Sequence, residues 1–245
     1  MEGGRVDVDA EEQERTTVSI PFVEARDLAL RTVKGPVYED VSFAVDRGEV
    51  LAVRGHDGTG KTALLLTIAG RMKPTAGWLR VGSCRVRGAR QEGVRGEGSN
   101  RKNLASIRRM VGLGVFAGLN ELMRGLTVRS AVRSEFDLQG VACTRAALES
   151  FLADWRLSGL GQERIADLTA KRRVRLDIAL ACLGDPDVIV VDDVESGLTK
   201  NQSEDLMRLL GNVARERRIV VAVGVVERDL AAMADVVAFL EKEGA

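Results

Sequence analysis

The sequence predicts an α/β fold with a mainly parallel core sheet, an antiparallel β subdomain before it and a helical subdomain inserted into it. Residues 188–191 and 219–226 are β-branched runs without polar alternation, which is typical of strands covered on both faces of a parallel sheet. The helix-like stretch 203–216 lies between them and completes a strand, helix, strand unit. A glycine-rich turn also joins an apolar strand at 49–53 to a helix at 61–70. These observations define the fold class.

The antiparallel part is predicted from the residues around that first helix. Strand-like patterns occur at 23–30 and 41–45, and turn residues separate them. Residues 75–88 are typical of a short hairpin that returns to strand. Residues 88–103 are rich in glycine and charge, so we expect a surface loop with nothing to bury.

Helical spacing dominates between about 118 and 184, as at Val128, Val132 and Phe136, and predicts the inserted helical subdomain there. The first 20 residues carry more acid than base and lack the basic and apolar regions of a secretory signal. We therefore expect a disordered tail at 1–20 and one domain over 21–245.

The composition limits the kinds of partner. Lysine plus arginine equals aspartate plus glutamate at 36 each, so no global field favours nucleic acid or an anionic membrane. Three widely spaced cysteines argue against disulfides and metal clusters and suit a reducing cytosol. No apolar run approaches the roughly 20 residues of a membrane-spanning helix. Basic residues are frequent from 85 to 109, where we favour a solvated loop over a site for phosphates or lipid head groups.

The first candidate site is the glycine-rich turn at 55–62, which fits the pattern GxxxxGK[ST]. Glycines let successive backbone N–H groups curl around phosphate oxygens at the positive end of the following helix. The lysine then supplies a cation to the outer phosphates and the threonine a hydroxyl to Mg²⁺. The alternative is a glycine turn that binds nothing, and we expect the histidine to face solvent. The candidate residues are Gly55, His56, Asp57, Gly58, Thr59, Gly60, Lys61 and Thr62.

The second candidate site is the pair of carboxylates at the end of the apolar strand 188–191. Asp192 can hold Mg²⁺ through water, and Asp193 can orient or deprotonate an attacking water. The alternative is that both acids only terminate a buried strand. Together with the glycine-rich turn, they predict a site for ATP and Mg²⁺ in which Thr62 and Asp192 serve the metal.

The order of these motifs resembles that of the nucleotide-binding subunits of ABC transporters. The resemblance runs from about residue 23 to the end, and its most specific part extends from Leu168 through Asp192 into Ser196-Gly197-Leu198. It implies that two cassettes, identical or different, close head to tail, with ATP between the glycine loop of one and the signature segment of the other. It also implies a membrane permease as partner, membrane contact only through that permease, and a place at the inner, cytoplasmic face of the cell membrane.

The chain departs from this family pattern at the signature segment LSGGQ, which matches 168–172. Thr169 keeps a hydroxyl, but Ala170 and Lys171 replace glycines and Arg172 replaces the glutamine. A Cβ where backbone must approach phosphate closely is a steric obstacle. Alternatively, Lys171 can offer its positive charge to the phosphate, although we favour a simple loss of the signature motif.

Other departures affect the groups that, by resemblance, act on the γ-phosphate or contact its surroundings. The catalytic glutamate matches Asp193, which is about one methylene shorter, and a displacement of about 1 Å can cost roughly a hundredfold in rate. The remaining positions are Phe116 for the Q-loop glutamine, Val225 or Val226 for the switch histidine, Thr32 or Val33 for the adenine-stacking aromatic, and Thr199 for the aspartate after Ser-Gly-Leu. We do not expect Tyr38, the sole tyrosine, to reach the base.

The first hypothesis is thus an ATP-binding subunit that couples ATP binding, or slow and partner-dependent hydrolysis, to a membrane transporter. The second is a nucleotide-responsive regulatory or scaffold module that does not consume ATP. A DNA-repair or translation type of ABC protein comes third, because no second cassette, long coiled coil or zinc-binding cysteine set is evident. The transported substance and its direction are not encoded in these motifs.

Overall fold

The computed structural model describes residues 20–88, 97–114, 116 and 122–241. The predicted tail at 1–20 therefore lies outside the described residues apart from Ile20. In chain order the described strands are β1 (Val23–Thr32), β2 (Gly35–Val45), β3 (Val50–Arg54), β4 (Ala76–Val81), β5 (Cys84–Arg87), β6 (Val111–Leu113), β7 (Val188–Val191), β8 (Val220–Val225) and β9 (Val236–Phe239).

The described helices, also in chain order, are α1 (Lys61–Ile68), α2 (Glu97–Met110), α3 (Val128–Leu138), α4 (Arg145–Asp154), α5 (Ala170–Ala181), α6 (Lys200–Arg217) and α7 (Arg228–Ala231). Helices α3, α4 and α5 follow one another along the chain between β6 and β7. The boundaries of an inserted helical subdomain at 118–184 stay a prediction. No helix among the described residues combines the length and the apolar character needed to cross a bilayer.

The strands form two sheets, as the sequence predicts. The first sheet is antiparallel, with the order β2-β1-β4-β5. The second is parallel, with the order β6-β7-β8-β3-β9, so β8 lies between the strand that precedes the glycine loop and the strand that precedes Asp192. Strands β7 and β8 are buried along their whole length, which explains their lack of alternation.

The parallel sheet separates two apolar cores. One face packs with the antiparallel sheet and α1, and its core includes Leu51, Leu64 and Leu79. The other face packs against the helices that follow β6, and its core includes Leu176 and Leu210. Because the carboxyl ends of parallel strands meet at one edge of a sheet, the loops after β3, β7 and β8 gather there.

The prediction of a surface loop over 88–103 is wrong for residues 97–103, which belong to α2. The helix is attached to the edge strand β5 by side-chain amides: Asn100 Nδ2 donates to the carbonyl of Arg87 at 2.9 Å, and Asn103 Nδ2 donates to that of Arg85 at 2.7 Å. Residues 89–96 lie outside the described part of the chain.

Candidate nucleotide site

The glycine loop leaves the end of β3 and enters α1 at Lys61. Gly60 caps the helix with a left-handed backbone (φ 96°), which glycine adopts readily and other residues do not. A Cβ at Gly60 would lie 2.5 Å from the carbonyl oxygen of Val37 on β2. The loop therefore passes so close to β2 that only glycine fits, and this fixes the direction in which α1 begins.

Lys61 is enclosed by the loop that precedes it. The residue is 8% exposed, and Nζ donates to the carbonyls of Gly55 at 2.8 Å and His56 at 3.0 Å. The Oδ1 atom of Asp57 lies 3.5 Å from the same ammonium, and the side chain of Asp57 is almost fully exposed. His56 itself is exposed, as predicted.

We expect Asp57→Asn to raise the affinity for Mg·ATP about fivefold at low salt. The carboxylate competes with phosphate for Lys61 and repels it, and a unit charge about 4 Å away in water is worth about 1 kcal/mol. Asparagine has nearly the same shape and no charge. Calorimetric titration at low and high salt measures the effect, which should shrink as salt screens it.

The matched control is Asp137→Asn, which removes an exposed carboxylate on α3 and should leave the affinity unchanged. If Asp57→Asn and the unchanged chain bind Mg·ATP equally at low salt, Asp57 does not compete for Lys61.

Thr62 and Asp192 meet across the edge of the sheet. Thr62 Oγ1 donates to Asp192 Oδ2 at 2.5 Å. Burial raises the pKa of the Asp192 carboxyl, and the hydrogen bond from Thr62 opposes that effect. Gly224 on β8 makes the approach possible, because a Cβ there would lie 2.5 Å from Asp192 Oδ1. The glycine inside the run 219–226 thus has a role that the sequence pattern alone did not indicate.

A hydroxyl and a carboxylate side by side suit Mg²⁺, which prefers oxygen ligands. Within the described ranges, no group of three or more histidine, cysteine, aspartate or glutamate side chains is placed to hold a metal. A magnesium ion at Thr62 and Asp192 would therefore keep water or phosphate oxygens as its other ligands, as Mg²⁺ commonly does.

Asp193 opens on the same cleft as the glycine loop. Its backbone is left-handed (φ 49°), and its side chain is exposed. A cleft of about 530 Å³ is lined by Gly58, Gly60, Lys61, Thr62, Asp192 and Asp193, together with Val37, Asp57, Ala63, Leu66 and Met72. The two motifs predicted separately from the sequence thus share one cleft.

Glu195 is a residue of this region that the sequence analysis missed. Its Oε2 accepts a hydrogen bond from the backbone N–H of Val226 at 2.5 Å, and its Oε1 accepts one from that of Glu227 at 3.1 Å. The carboxylate therefore joins the loop of Asp193 to the end of β8, where the resemblance places the switch histidine. No sequence signal could reveal it, because its partners are backbone amides 31 and 32 residues away.

We expect Glu195→Ala to lower the free energy of unfolding by about 2 kcal/mol, since two hydrogen bonds to a charged group are lost. Hydrogen exchange at the amides of Val226 and Glu227 should accelerate. Denaturant unfolding and exchange mass spectrometry measure the two effects.

Glu204→Ala is the control, because it removes a glutamate whose partner is Arg208 on the helix surface, a contact that contributes little. Equal unfolding free energies for the two variants would show that the Glu195 contact does not hold the loops together.

The segment that matches the signature lies at the start of α5. Thr169 caps the helix by accepting from the backbone N–H of Arg172 at 3.4 Å. Lys171 Nζ donates to Asp205 Oδ2 on α6 at 2.7 Å, so its charge is already paired within the chain. Residues 168–172 are not among the described residues that line the cleft of the glycine loop.

The structure also places other positions at which the sequence departs from the family pattern. Phe116 is 1% exposed, Val225 is fully buried, and Val33 is fully exposed at the turn between β1 and β2. Tyr38 is a core residue whose hydroxyl pairs with Thr67 Oγ1 at 2.8 Å, and that it does not reach a base stays a prediction.

Comparison with known families decides the class. The family model described as ABC transporter matches residues 38–196, which is more than half of the chain. The chain belongs to the ABC transporter family. This assignment accounts for the order of the glycine loop, the helical stretch and the Asp192 strand along an ABC cassette.

Curated relatives within the ABC family are distant. The chain is 28% identical over 188 residues to the energy-coupling factor transporter ATP-binding protein EcfA of Enterococcus faecium, covering 76% of this chain and 62% of the relative. It is 31% identical over 173 residues to the cobalt import ATP-binding protein CbiO of Rhodobacter capsulatus, covering 70% and 58%. The matches thus span about six-tenths of the length of these relatives.

Solved structures share the ABC cassette fold. The chain matches cbiO1 from Clostridium perfringens, part of the transporter complex cbiONQ, with a TM-score of 0.73 at 19% identity over 91% of this chain and 86% of that one. It matches the dimeric cassette MJ0796 bound to ADP and Pi with a TM-score of 0.69 at 22% identity, over 89% and 94%. At these identities the likeness establishes the fold.

Proposed function

We propose that this chain is an ATP-binding cassette subunit that binds Mg·ATP and couples its binding or slow hydrolysis to a membrane transporter. The observation that carries the proposal is the contact between the Thr62 hydroxyl and the Asp192 carboxylate beside the enclosed ammonium of Lys61. A glycine turn without a ligand has no need for a buried carboxylate and a buried lysine at the same edge of the sheet.

Binding follows from the geometry of the loop. Gly58, Gly60, Lys61 and Thr62 of the loop line the cleft at the start of α1, where the helix dipole favours negative charge. Lys61 would exchange its bonds to the carbonyls of Gly55 and His56 for bonds to the outer phosphates. Thr62 and Asp192 would hold Mg²⁺, which neutralises phosphate charge when bound.

Cleavage is expected to be slow in the isolated chain. Asp193 lies at the cleft but its carboxylate is short for orienting water, since about 1 Å of misplacement can cost roughly a hundredfold. Lys171 is paired with Asp205, and Phe116 and Val225 are buried apolar side chains. We infer that the signature, Q-loop and switch positions have lost the groups that promote hydrolysis.

The proposed partners are a second cassette and a membrane permease, with this subunit at the cytoplasmic face. The dimeric state of MJ0796 and the membership of cbiO1 in a transporter complex support this proposal. A partner cassette with an intact signature would supply the groups that residues 168–172 lack. Phe116 lies three residues beyond the end of β6. The residues of β6 line a cavity of about 450 Å³ at the edge of the parallel sheet, and this edge is a candidate face for the permease.

A second candidate function is a nucleotide-responsive scaffold that does not consume ATP. The contact of Glu195 with Val226 and Glu227 favours it, because the segment at the switch position is held within the chain by two hydrogen bonds. Phosphate release in the presence of the membrane partner distinguishes the two functions: turnover above the background of Lys61→Ala would reject the scaffold.

Calorimetric titration of the full chain with Mg·ATP tests the proposal. Saturable binding that requires Lys61 supports it. Absence of heat at millimolar nucleotide, with a folded chain, would reject its central property.

A further inference from the structure

Along one face of helix α2, the exposed residues whose side chains the structure describes are four cations and one alanine. We call the exposed residues Arg101, Lys102, Ala105, Arg108 and Arg109 the basic stripe. At about 100° per residue they fall within an arc of about 120°, so they form one continuous face of the helix. Over its 14 residues the helix is about 21 Å long.

The opposite face of α2 holds the basic stripe in place. Asn100 and Asn103 bind the backbone of β5, and Ile107 is fully buried. Arg108 is anchored in addition, because its Nε donates to the carbonyl of Gly70 at 2.7 Å. Helix α2 is therefore held in one orientation, with the basic stripe facing solvent.

Within the described part of the chain, the charge of the basic stripe is not offset by ion pairs. Among the described side chains, no carboxylate lies within ion-pair distance of its four cations. Two acids, Glu135 and Asp177, line the cavity of about 450 Å³ that Arg108 and Arg109 border, but Arg71 borders it too. Among the described side chains that line this cavity, three cations thus outnumber two carboxylates.

We propose that the basic stripe binds the anionic phosphate head groups of a phospholipid membrane. Protein interfaces depend on aromatic or large apolar anchors that fill pockets, and the stripe has none. Single-stranded nucleic acid is bound through aromatic stacking platforms, and none of the stripe residues is aromatic. A row of exposed cations suits a fluid anionic surface, where each lysine or arginine adds to the attraction.

The choice of a membrane rests on the proposed function. A permease partner would hold the cassette next to the lipid, and such tethering makes a weak additional contact effective. The balanced charge of the whole chain, 36 of each sign, means that the attraction must be local to the stripe. It should therefore disappear at high salt.

The test is flotation of the full chain with vesicles, without nucleotide. The probes are vesicles of phosphatidylcholine alone and of phosphatidylcholine mixed with phosphatidylglycerol. The stripe variant carries Arg101→Gln, Lys102→Gln and Arg109→Gln, which keep helix propensity and remove charge. The control variant carries Arg133→Gln, Arg215→Gln and Arg228→Gln, which remove the same charge from exposed positions on α3, α6 and α7.

We expect the unchanged chain to bind only the anionic vesicles. The stripe variant should lose about a hundredfold in affinity, roughly fivefold for each cation, while the control variant keeps its binding. Circular dichroism confirms that both variants fold, and calorimetry with Mg·ATP on the same samples tests the nucleotide site separately.

Equal losses in the two variants, or binding to neutral vesicles, would overturn the proposal. An absence of vesicle binding would also overturn the proposal. If the stripe variant in that case loses affinity for a detergent-solubilised permease or for RNA, the stripe serves that partner instead. None of these results bears on whether the glycine loop binds Mg·ATP.

Discussion

Replacing Lys61 with alanine is expected to lower the affinity for Mg·ATP at least about a hundredfold. The ammonium is the cation that the loop encloses, with bonds of 2.8 and 3.0 Å to carbonyls that phosphate oxygens would replace. Two hydrogen bonds to a charged group are worth about 1.5–3 kcal/mol each, which corresponds to a hundredfold or more. Calorimetric titration with Mg·ATP measures the change directly.

Lys73→Ala is the control for this variant, since it removes an exposed lysine beyond the end of α1. It should bind as the unchanged chain does. Retained tight binding by Lys61→Ala would show that the loop does not bind the nucleotide through its lysine, and the proposed function would then fail at its first step.

Gly60→Ala is expected to destabilise the fold more than Gly58→Ala, by about 2 kcal/mol. Both glycines have left-handed backbones, with φ of 96° and 78°, so both variants carry the cost of a Cβ in that region. Only at Gly60 does the added Cβ meet backbone, at 2.5 Å from the carbonyl oxygen of Val37. Overpacking of this kind typically costs 1–3 kcal/mol.

Denaturant unfolding without nucleotide separates the two glycine variants. A Cβ at Gly58 has nothing within 4 Å, which makes Gly58→Ala the matched control for strain alone. If both variants unfold at the same denaturant concentration, the close approach of the loop to β2 is not a constraint on this fold.

The sequence predicted the sheets and the glycine loop because their signals are local. Strands β7 and β8 are contiguous β-branched runs, and the eight residues from 55 to 62 lie next to one another in the chain. The meeting of Thr62 with Asp192 was also predictable, since the loops after parallel strands gather at one edge of the sheet.

Helix α2 was missed because its stability comes from contacts with other elements. Its sequence has few apolar positions, and the side-chain amides of Asn100 and Asn103 bind backbone of the edge strand β5. In a sequence those residues are typical of turns. Only the neighbouring strand shows that they attach a helix.

The contacts of Glu195 and Lys171 could not be predicted for the same reason. Glu195 binds amides at the end of β8, and Lys171 pairs with Asp205 on the following helix. Both contacts join positions more than 30 residues apart, and in neither contact do both partners lie in one motif. They nevertheless bear on whether the switch segment and the signature segment can respond to nucleotide.

The most direct test of nucleotide binding with slow hydrolysis is the chemical state of the nucleotide that the chain has bound. An excess of the full chain is mixed with radiolabelled Mg·ATP, the bound fraction is isolated on a filter, and its ATP and ADP are separated over time. If the chain binds Mg·ATP and hydrolyses it slowly, nucleotide is retained on the filter and stays predominantly ATP for minutes. A filter without nucleotide, or bound label converted to ADP within seconds, would contradict it.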